Sequence, residues 1–214
     1  KAKKWLDEIG MEDVDGDGFR ELPNGDKFNP TILFCKMGPV DPTTVFELVN
    51  SDFEEIGLDF RLNKVSRELH DTRRTANEFD VSAWPAGMML DVAFGSSLGR
   101  YFAPIDTPFG SPWPGWVNWY ETDGEEGMEP PEQIKELINW GEKIHSPVEK
   151  ERMEAGKKLT ESHAENLWTI GTIRMAPQPT IISNTLKNVP KKGFWGWDIT
   201  NMRPMYPVQF YLEK

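Results

Sequence analysis

Four acidic side chains near the start of the chain have the types and spacing to bind a metal ion. In Asp13-Val14-Asp15-Gly16-Asp17-Gly18-Phe19-Arg20-Glu21, carboxylates stand at alternate positions and a glycine occupies the sixth place. A calcium loop uses hard oxygen donors two residues apart around a sharp turn. Asp13, Asp15, Asp17 and Glu21 are therefore candidate ligands for a structural calcium ion. At the twelfth position, where such a loop places a bidentate glutamate, stands Asn24, and a strand pattern follows where a second helix belongs. A plain acidic turn is the competing reading, and no other cofactor is called for.

A second candidate is nucleophilic. Gly95-Ser96-Ser97-Leu98-Gly99 has the G-x-S-x-G pattern that, in hydrolases, exposes a serine on a strained strand-to-helix turn. Ser97 would need a histidine as general base. His145 and His163 fall in or beside helical segments, and His70 precedes the serine. The three histidines are far apart, without H-x-x-x-H or C-x-x-C spacing, so a catalytic zinc site has no ligand set. Serine hydrolysis stays as an alternative, and the chain reads as a non-enzyme.

The third candidate is a set of flat aromatic faces among nine tryptophans. Trp5, Trp140 and Trp168 lie in periodic segments and read as core or half-core. Trp84 ends a strand, and Trp113, Trp116 and Trp119 fall in what reads as a proline-rich loop. Rings so placed stack on sugar faces or cover peptide side chains in a ligand cleft. Asp91, a few residues beyond Trp84, can bring a carboxylate to the mouth of that cleft. A purely structural cluster, with Trp84, Trp113 and Trp116 packing on one another, is the third class of function kept open.

These groups need elements to hold them. Ala2, Trp5, Leu6 and Ile9 define a short amphipathic helix that closes at Gly10. Thr31–Cys35 reads as a strand. Asp41 as N-cap and Pro42 then open a helix with the stripe Val45, Leu48, Val49, Phe53 and Ile56, closing at Gly57. Leu58, Phe60 and Leu62 alternate with Asp59, Arg61 and Asn63, the period of a half-buried strand. Strand, helix, strand is a βαβ unit, with parallel strands and a right-handed crossover. A helix over 67–75 and a strand over 79–84 follow. From Pro85 to Pro131 the chain reads as loop, with one short helix near Val92 to Tyr101. Helices over 132–144 and 148–165 come next, the second with a capping box begun by Ser146. Strands are expected over 167–175, 180–183 and 205–212.

Composition narrows the partners. With 38% hydrophobic residues in 214, the chain can build a proper core. A formal charge of −11 argues against nucleic acid, whose binding relies on Lys and Arg. Cys35, alone in an apolar run, reads as a buried hydrophobe and cannot form an internal disulfide. No apolar run reaches the roughly 18 residues of a membrane helix. The opening Lys1-Ala2-Lys3-Lys4-Trp5 lacks a secretory pattern, and the start reads as a fragment boundary.

The order Lys3-Lys4-Trp5-Leu6-Asp7-Glu8-Ile9-Gly10, then Asp15-Gly16-Asp17-Gly18-Phe19-Arg20-Glu21, resembles the family-five extracellular solute-binding proteins, the oligopeptide- and dipeptide-binding group. Glu54-Glu55-Ile56-Gly57-Leu58-Asp59-Phe60 and Glu78-Phe79-Asp80-Val81-Ser82-Ala83-Trp84 are similar to its helix into strand and its cleft strand. Ala164-Glu165-Asn166-Leu167-Trp168-Thr169-Ile170-Gly171 and Pro177-Gln178-Pro179-Thr180-Ile181-Ile182-Ser183-Asn184 resemble a branch that includes oligosaccharide binders.

The resemblance implies an α/β fold: a periplasmic-binding-protein-like lobe of type II character, with a mixed, mostly parallel sheet flanked by helices. Residues 1–214 would form the C-terminal lobe of a two-lobed clamp, with a tail from about 204 to 214 returning toward the N-terminal lobe. It implies the binding component of an ABC importer, periplasmic or extracellular, with an oligosaccharide or oligopeptide ligand and a transporter permease as partner. The membrane would be met only through that transporter or a lipid anchor. In peptide binders of the family an aspartate after the cleft strand pairs with the ligand's amino group, and Asp91 is the nearest candidate.

Overall fold

A computed structural model describes residues 1–37, 41–84, 95, 98–105, 111–171, 181–192 and 207–213. The chain divides into two compact units, residues 1–85 with 104–132, and residues 86–103 with 133–214.

The first unit is built around β1 (Thr31–Cys35), whose Ile32, Leu33, Phe34 and Cys35 are all buried. A strand apolar on both faces must be covered on both, as in the interior of a parallel sheet. β2 (Arg61–Val65) pairs with it on one side and β3 (Val81–Ser82) on the other, both parallel, giving the order β2-β1-β3. α2 (Thr43–Glu54) connects β1 to β2, and α3 (Arg67–Thr75) connects β2 to β3. The Phe34 ring meets Phe46 of α2 at 4.6 Å. The Cys35 thiol, pushed up by burial, feels the charges of Arg67, Asp71 and Arg74 on α3. Successive β1 residues thus meet different helices, one on each face of the sheet. The α/β architecture with a parallel sheet flanked by helices is as expected.

Several local readings change. The half-buried side of α2 runs through Phe46, Val49 and Phe53, with Ile56 just past its end, while Val45 and Leu48 are exposed, because the large Phe34 draws Phe46 inward. The N-cap is Pro42 and not Asp41, although Asp41 still accepts from Thr43 N at 3.1 Å and holds Lys64 at 2.6 Å. That lysine keeps the Asp41 carboxyl well below its usual range. β2 begins three residues later than the alternation suggested. Leu58 N still closes α2 on Phe53 O, and pairing starts only where Thr31 offers a partner. The opening helix α1 (Ala2–Glu8) buries none of its residues; Trp5 is 56% exposed under the Lys1 ammonium, so it is not core.

The stretch read as loop contains α5 (Pro114–Glu121), which starts with proline in its first turn, where a missing N–H costs nothing. A turn locks it from behind. Met128 N donates to Gly115 O at 2.9 Å, and the Thr122 hydroxyl donates to Asn118 O at 2.7 Å and accepts from Glu126 N at 2.9 Å.

The second unit holds α4 (Leu98–Tyr101), α6 (Glu132–Lys143) and α7 (Glu149–Asn166). α6 buries Ile134, Leu137 and Ile138, as its spacing predicts. Trp140 and Trp168 are half-buried. The capping box does not form: Ser146 Oγ accepts from Val148 N at 3.1 Å and donates to Glu151, and the cap residue is Val148. No strand follows α7 over 167–171, because Leu167 turns left-handed (φ 51°) and ends the helix exposed. Residues 172–180 lie outside those described, and 181–183 are not strand. The tail strand shrinks to β5 (Tyr211–Leu212), antiparallel to β4 (Leu186–Lys187), after a 3-10 turn begun by Pro207.

Candidate functional site

The strand order fixes where a site can form. β1 connects toward β2 on one side, and β3 lies on the other, so β1 and β3 flank a topological switch point. In an open α/β sheet, ligands bind in the crevice outside the carboxyl ends of such strands. Trp84 stands two residues beyond the end of β3, just after Ala83, whose N–H reaches Leu33 O at 3.1 Å.

The Trp84 ring has close neighbours there. His70 stacks on it at 5.4 Å with 19° between planes, the Arg67 guanidinium lies 4.3 Å from its centroid, and that of Arg74 lies 5.0 Å away. Sequence reading missed all three, although their spacing along α3, i, i+3 and i+7, put them on one helical face. His70 is fully buried, with Nε2 3.4 Å from Ser82 Oγ and Nδ1 3.7 Å from Asp71 Oδ1. Burial and the Arg74 charge push its pKa down, so it is neutral near pH 7.

Arg74 carries the site onward. It is 5% exposed and donates from Nη2 to Ser111 O at 3.1 Å. Ser111 is also buried, and its Oγ accepts from Trp113 N at 3.1 Å. One buried guanidinium therefore ties the Trp84 ring to the head of α5. On α5 the buried residues are Pro114 and Val117, and Trp113, Trp116, Trp119 and Tyr120 are half-buried around the adjoining arc. Trp113 and Trp116 lie 6.4 Å apart, tilted 32°. Gly124, at φ +88°, lets the Trp119 ring pass where an added Cβ would come within 3.3 Å of its Nε1. Trp113, Trp116 and Trp119 thus belong to a helix and its cap and not to a loop, and at three-residue spacing they can share a face. That spacing, with Pro114 at the start, was the available signal. Asp91 and Ser97 lie outside the described residues.

The acidic loop is separate. Among the described residues, Asp13, Asp15 and Glu21 bring one ligand atom each within 4.8 Å of one another. Asp13 accepts from Gly16 N at 2.7 Å and Gly18 N at 3.0 Å, and Glu21, 5% exposed, accepts from Val14 N at 2.8 Å. Asp17 turns to Lys27, whose ammonium lies 2.9 Å from it and 3.2 Å from Asp15. Lys27 holds the Asp17 carboxyl below its usual range. A bridge between Glu21 and Lys27 places the lysine there, and Asn24 bonds to Asp26 and not to the loop. A bound calcium would meet three carboxylates and compete with that ammonium for Asp15.

In the second unit, His163 donates from Nε2 to Phe102 O at 2.9 Å, which commits the ring to a structural bond.

Residues 1–102 match the family described as "Bacterial extracellular solute-binding proteins, family 5 Middle". Among solved structures, an oligopeptide-binding protein OppA aligns over 100% of this chain and 35% of its own, with 28% identity and a TM-score of 0.70. The periplasmic binding protein MelB of Agrobacterium fabrum C58, in complex with stachyose, aligns over 79% of this chain and 25% of its own, with 24% identity and a TM-score of 0.61. A mannohexaose-bound periplasmic oligopeptide-binding protein of Thermotoga maritima aligns over 78% and 29%, with 22% identity and a TM-score of 0.57. No curated protein matches the chain. The match to the bacterial extracellular solute-binding proteins of family 5 lies in residues 1–102, just under half of the chain. The chain spans about a third or less of the length of these structures. Among its described residues no helix is long and apolar enough to cross a membrane.

Proposed function

We propose that residues 1–214 are the C-terminal α/β lobe of the solute-binding component of an ABC importer, working in the periplasm or outside the cell. The lobe contributes one wall of an inter-lobe cleft that closes over an oligosaccharide or an oligopeptide and presents it to the permease. The observation that carries this reading is the aromatic run from Trp84 through Arg74 and Ser111 to Trp113 and Trp116, beginning at the carboxyl edge of the sheet. Flat, half-buried rings beside a switch point suit a ligand with apolar faces and polar edges. Similar structures include both peptide-binding and sugar-bound proteins, which supports the ligand class without choosing within it. Such a protein acts by differential affinity for its closed state and needs no nucleophile.

The test is thermal unfolding of the protein against neutral oligosaccharides of two to six units and short peptides. A ligand at about 1,000 times its Kd adds roughly 4 kcal/mol and raises the midpoint by several degrees. Silence across both panels would reject the reading.

A further inference from the structure

We infer that Met128 is a reversible oxidation site, at which an uncharged peroxide turns the thioether into a sulfoxide and loosens α5 with the tryptophans it presents. Met128 stands where the turn after α5 comes back to the helix. Its N–H donates to Gly115 O at 2.9 Å. Its side chain lies against the same residue, with Cβ and Sδ each 3.7 Å from where a Cβ on Gly115 would stand. Asn77, just past the end of α3 at φ 58°, brings its Nδ2 to 3.4 Å from that point.

The turn has little else with which to hold the helix. Between Thr122 and Pro130, Met128 is the single apolar side chain, standing among Asp123, Glu125, Glu126 and Glu129. The other ties are backbone ones: Glu126 N donates to the Thr122 hydroxyl, and Gly127 lies on Gly115 O with no side chain of its own. Met128 is also within reach of solvent, at 52% exposure. Among the other described methionines, Met11 is buried, Met37 is half-buried, and Met153, on α7 in the second unit, is 70% exposed. Met128 thus joins an accessible sulfur to a contact that α5 depends on.

With hydrogen peroxide, a sulfur lone pair attacks one oxygen. The S–O bond forms as the O–O bond breaks, and the proton on the attacked oxygen passes to the departing hydroxide, which leaves as water. Sulfur loses two electrons and the peroxide gains them. Neighbouring carboxylates repel anionic oxidants and do not repel this neutral one. The product is a polar side chain in place of an apolar one, and methionine sulfoxide reductases reverse the change. A sulfoxide turns to water, so the cover over Gly115 is lost and the Met128 N–H bond to Gly115 O opens to solvent. The consequence for ligand affinity, a loss on oxidation, rests on the reading above, in which α5 presents Trp113 and Trp116; the loosening of α5 does not.

The test is hydrogen–deuterium exchange, read by mass spectrometry, on the protein before and after hydrogen peroxide. Peptide mapping is expected to find sulfoxide at Met128 and Met153 before Met11. The amides of residues 116–121 are expected to exchange about 5- to 10-fold faster in oxidised wild type, and to slow again after treatment with methionine sulfoxide reductases. Peroxide is expected to leave their exchange unchanged in Met128→Leu, which still acquires the Met153 sulfoxide. Met128→Gln, with a polar amide in place of the thioether, is expected to speed exchange without any peroxide. Met128 resisting peroxide longer than Met11, exchange unmoved at full Met128 oxidation, or a rise that persists in peroxide-treated Met128→Leu each overturns the inference. None of these measurements needs a ligand, so their outcome is separate from that of the panels that test the proposed function.

Discussion

The Nε–H of Arg20 is donated to the carbonyl of Ile56 at 3.0 Å, across 36 positions of sequence. The same side chain reaches Asp7 at 2.6 Å and the Met11 carbonyl at 2.5 Å, so one guanidinium joins α1, the acidic loop and the end of α2. Arg20→Ala removes all three bonds and leaves two backbone carbonyls unpaired; a loss of about 2 kcal/mol is expected in urea unfolding. Gly57→Ala is expected to cost about 1–2 kcal/mol. Gly57 sits at φ +82°, and an added Cβ would come within 3.1 Å of the Arg20 Cγ.

Gly127 has no room for a side chain. At φ +83°, an added Cβ would lie 2.4 Å from Gly115 O and 2.6 Å from Trp119 N, both backbone atoms that cannot swing aside. Gly127→Ala is expected to destabilise by about 3 kcal/mol and to shift the tryptophan emission, because the turn that holds α5 must open. An unchanged unfolding midpoint would show that the turn does not lock the helix.

One buried and one half-buried histidine set a pH dependence. Burial lowers the pKa of His70, aided by Arg74 and opposed by Asp71; burial also lowers that of His163, against the bond to Phe102 O. Folded pKa values below the unfolded value mean that the unfolded chain takes up protons first as the solution is acidified. Stability is therefore full above about pH 6.5 and falls as pH drops through that value toward the folded ones. The urea midpoint is expected to fall between pH 7 and pH 5, and less steeply in His163→Gln. A midpoint that rises on acidification would contradict these assignments.

Lys27 occupies ground that a calcium ion would contest. Wild-type protein is expected to show a smaller calcium-induced rise in thermal midpoint than Lys27→Met, where Asp15 and Asp17 lose their ammonium partner. Equal responses in both proteins would mean that Lys27 and the ion do not compete.

The sheet was legible because its strands and helices are written locally. Thr31–Cys35 is a bare apolar run, and α3 appears over the range its pattern gave. α5 was hidden by the density of proline, glycine and tryptophan around it, which resembles loop composition until Pro114 is read as a helix start. The exposed Val45 and Leu48 were assigned to the core because periodicity gives a stripe but not its rotation; Phe34, on another element, decides that. The site was half legible. Trp84 and the α5 tryptophans stood out by type, whereas Arg67, His70 and Arg74 joined them only once the crossover from β2 to β3 laid α3 beside the cleft strand. Lys27 was likewise out of reach, since its contact depends on a turn that brings residue 27 back to residue 21.

The most direct measurement is the affinity of the tightest neutral ligand from the oligosaccharide and peptide panels for wild type and for Trp116→Ala, by calorimetry, with unfolding midpoints recorded alongside. The account predicts a loss of about 10-fold or more in affinity, with the midpoint of the free protein little changed because the Trp116 ring is half-buried. Undiminished affinity in Trp116→Ala, together with the same result for Trp113→Ala and Trp119→Ala, would show that the aromatic face of α5 is packing and not a binding surface, and would contradict the account.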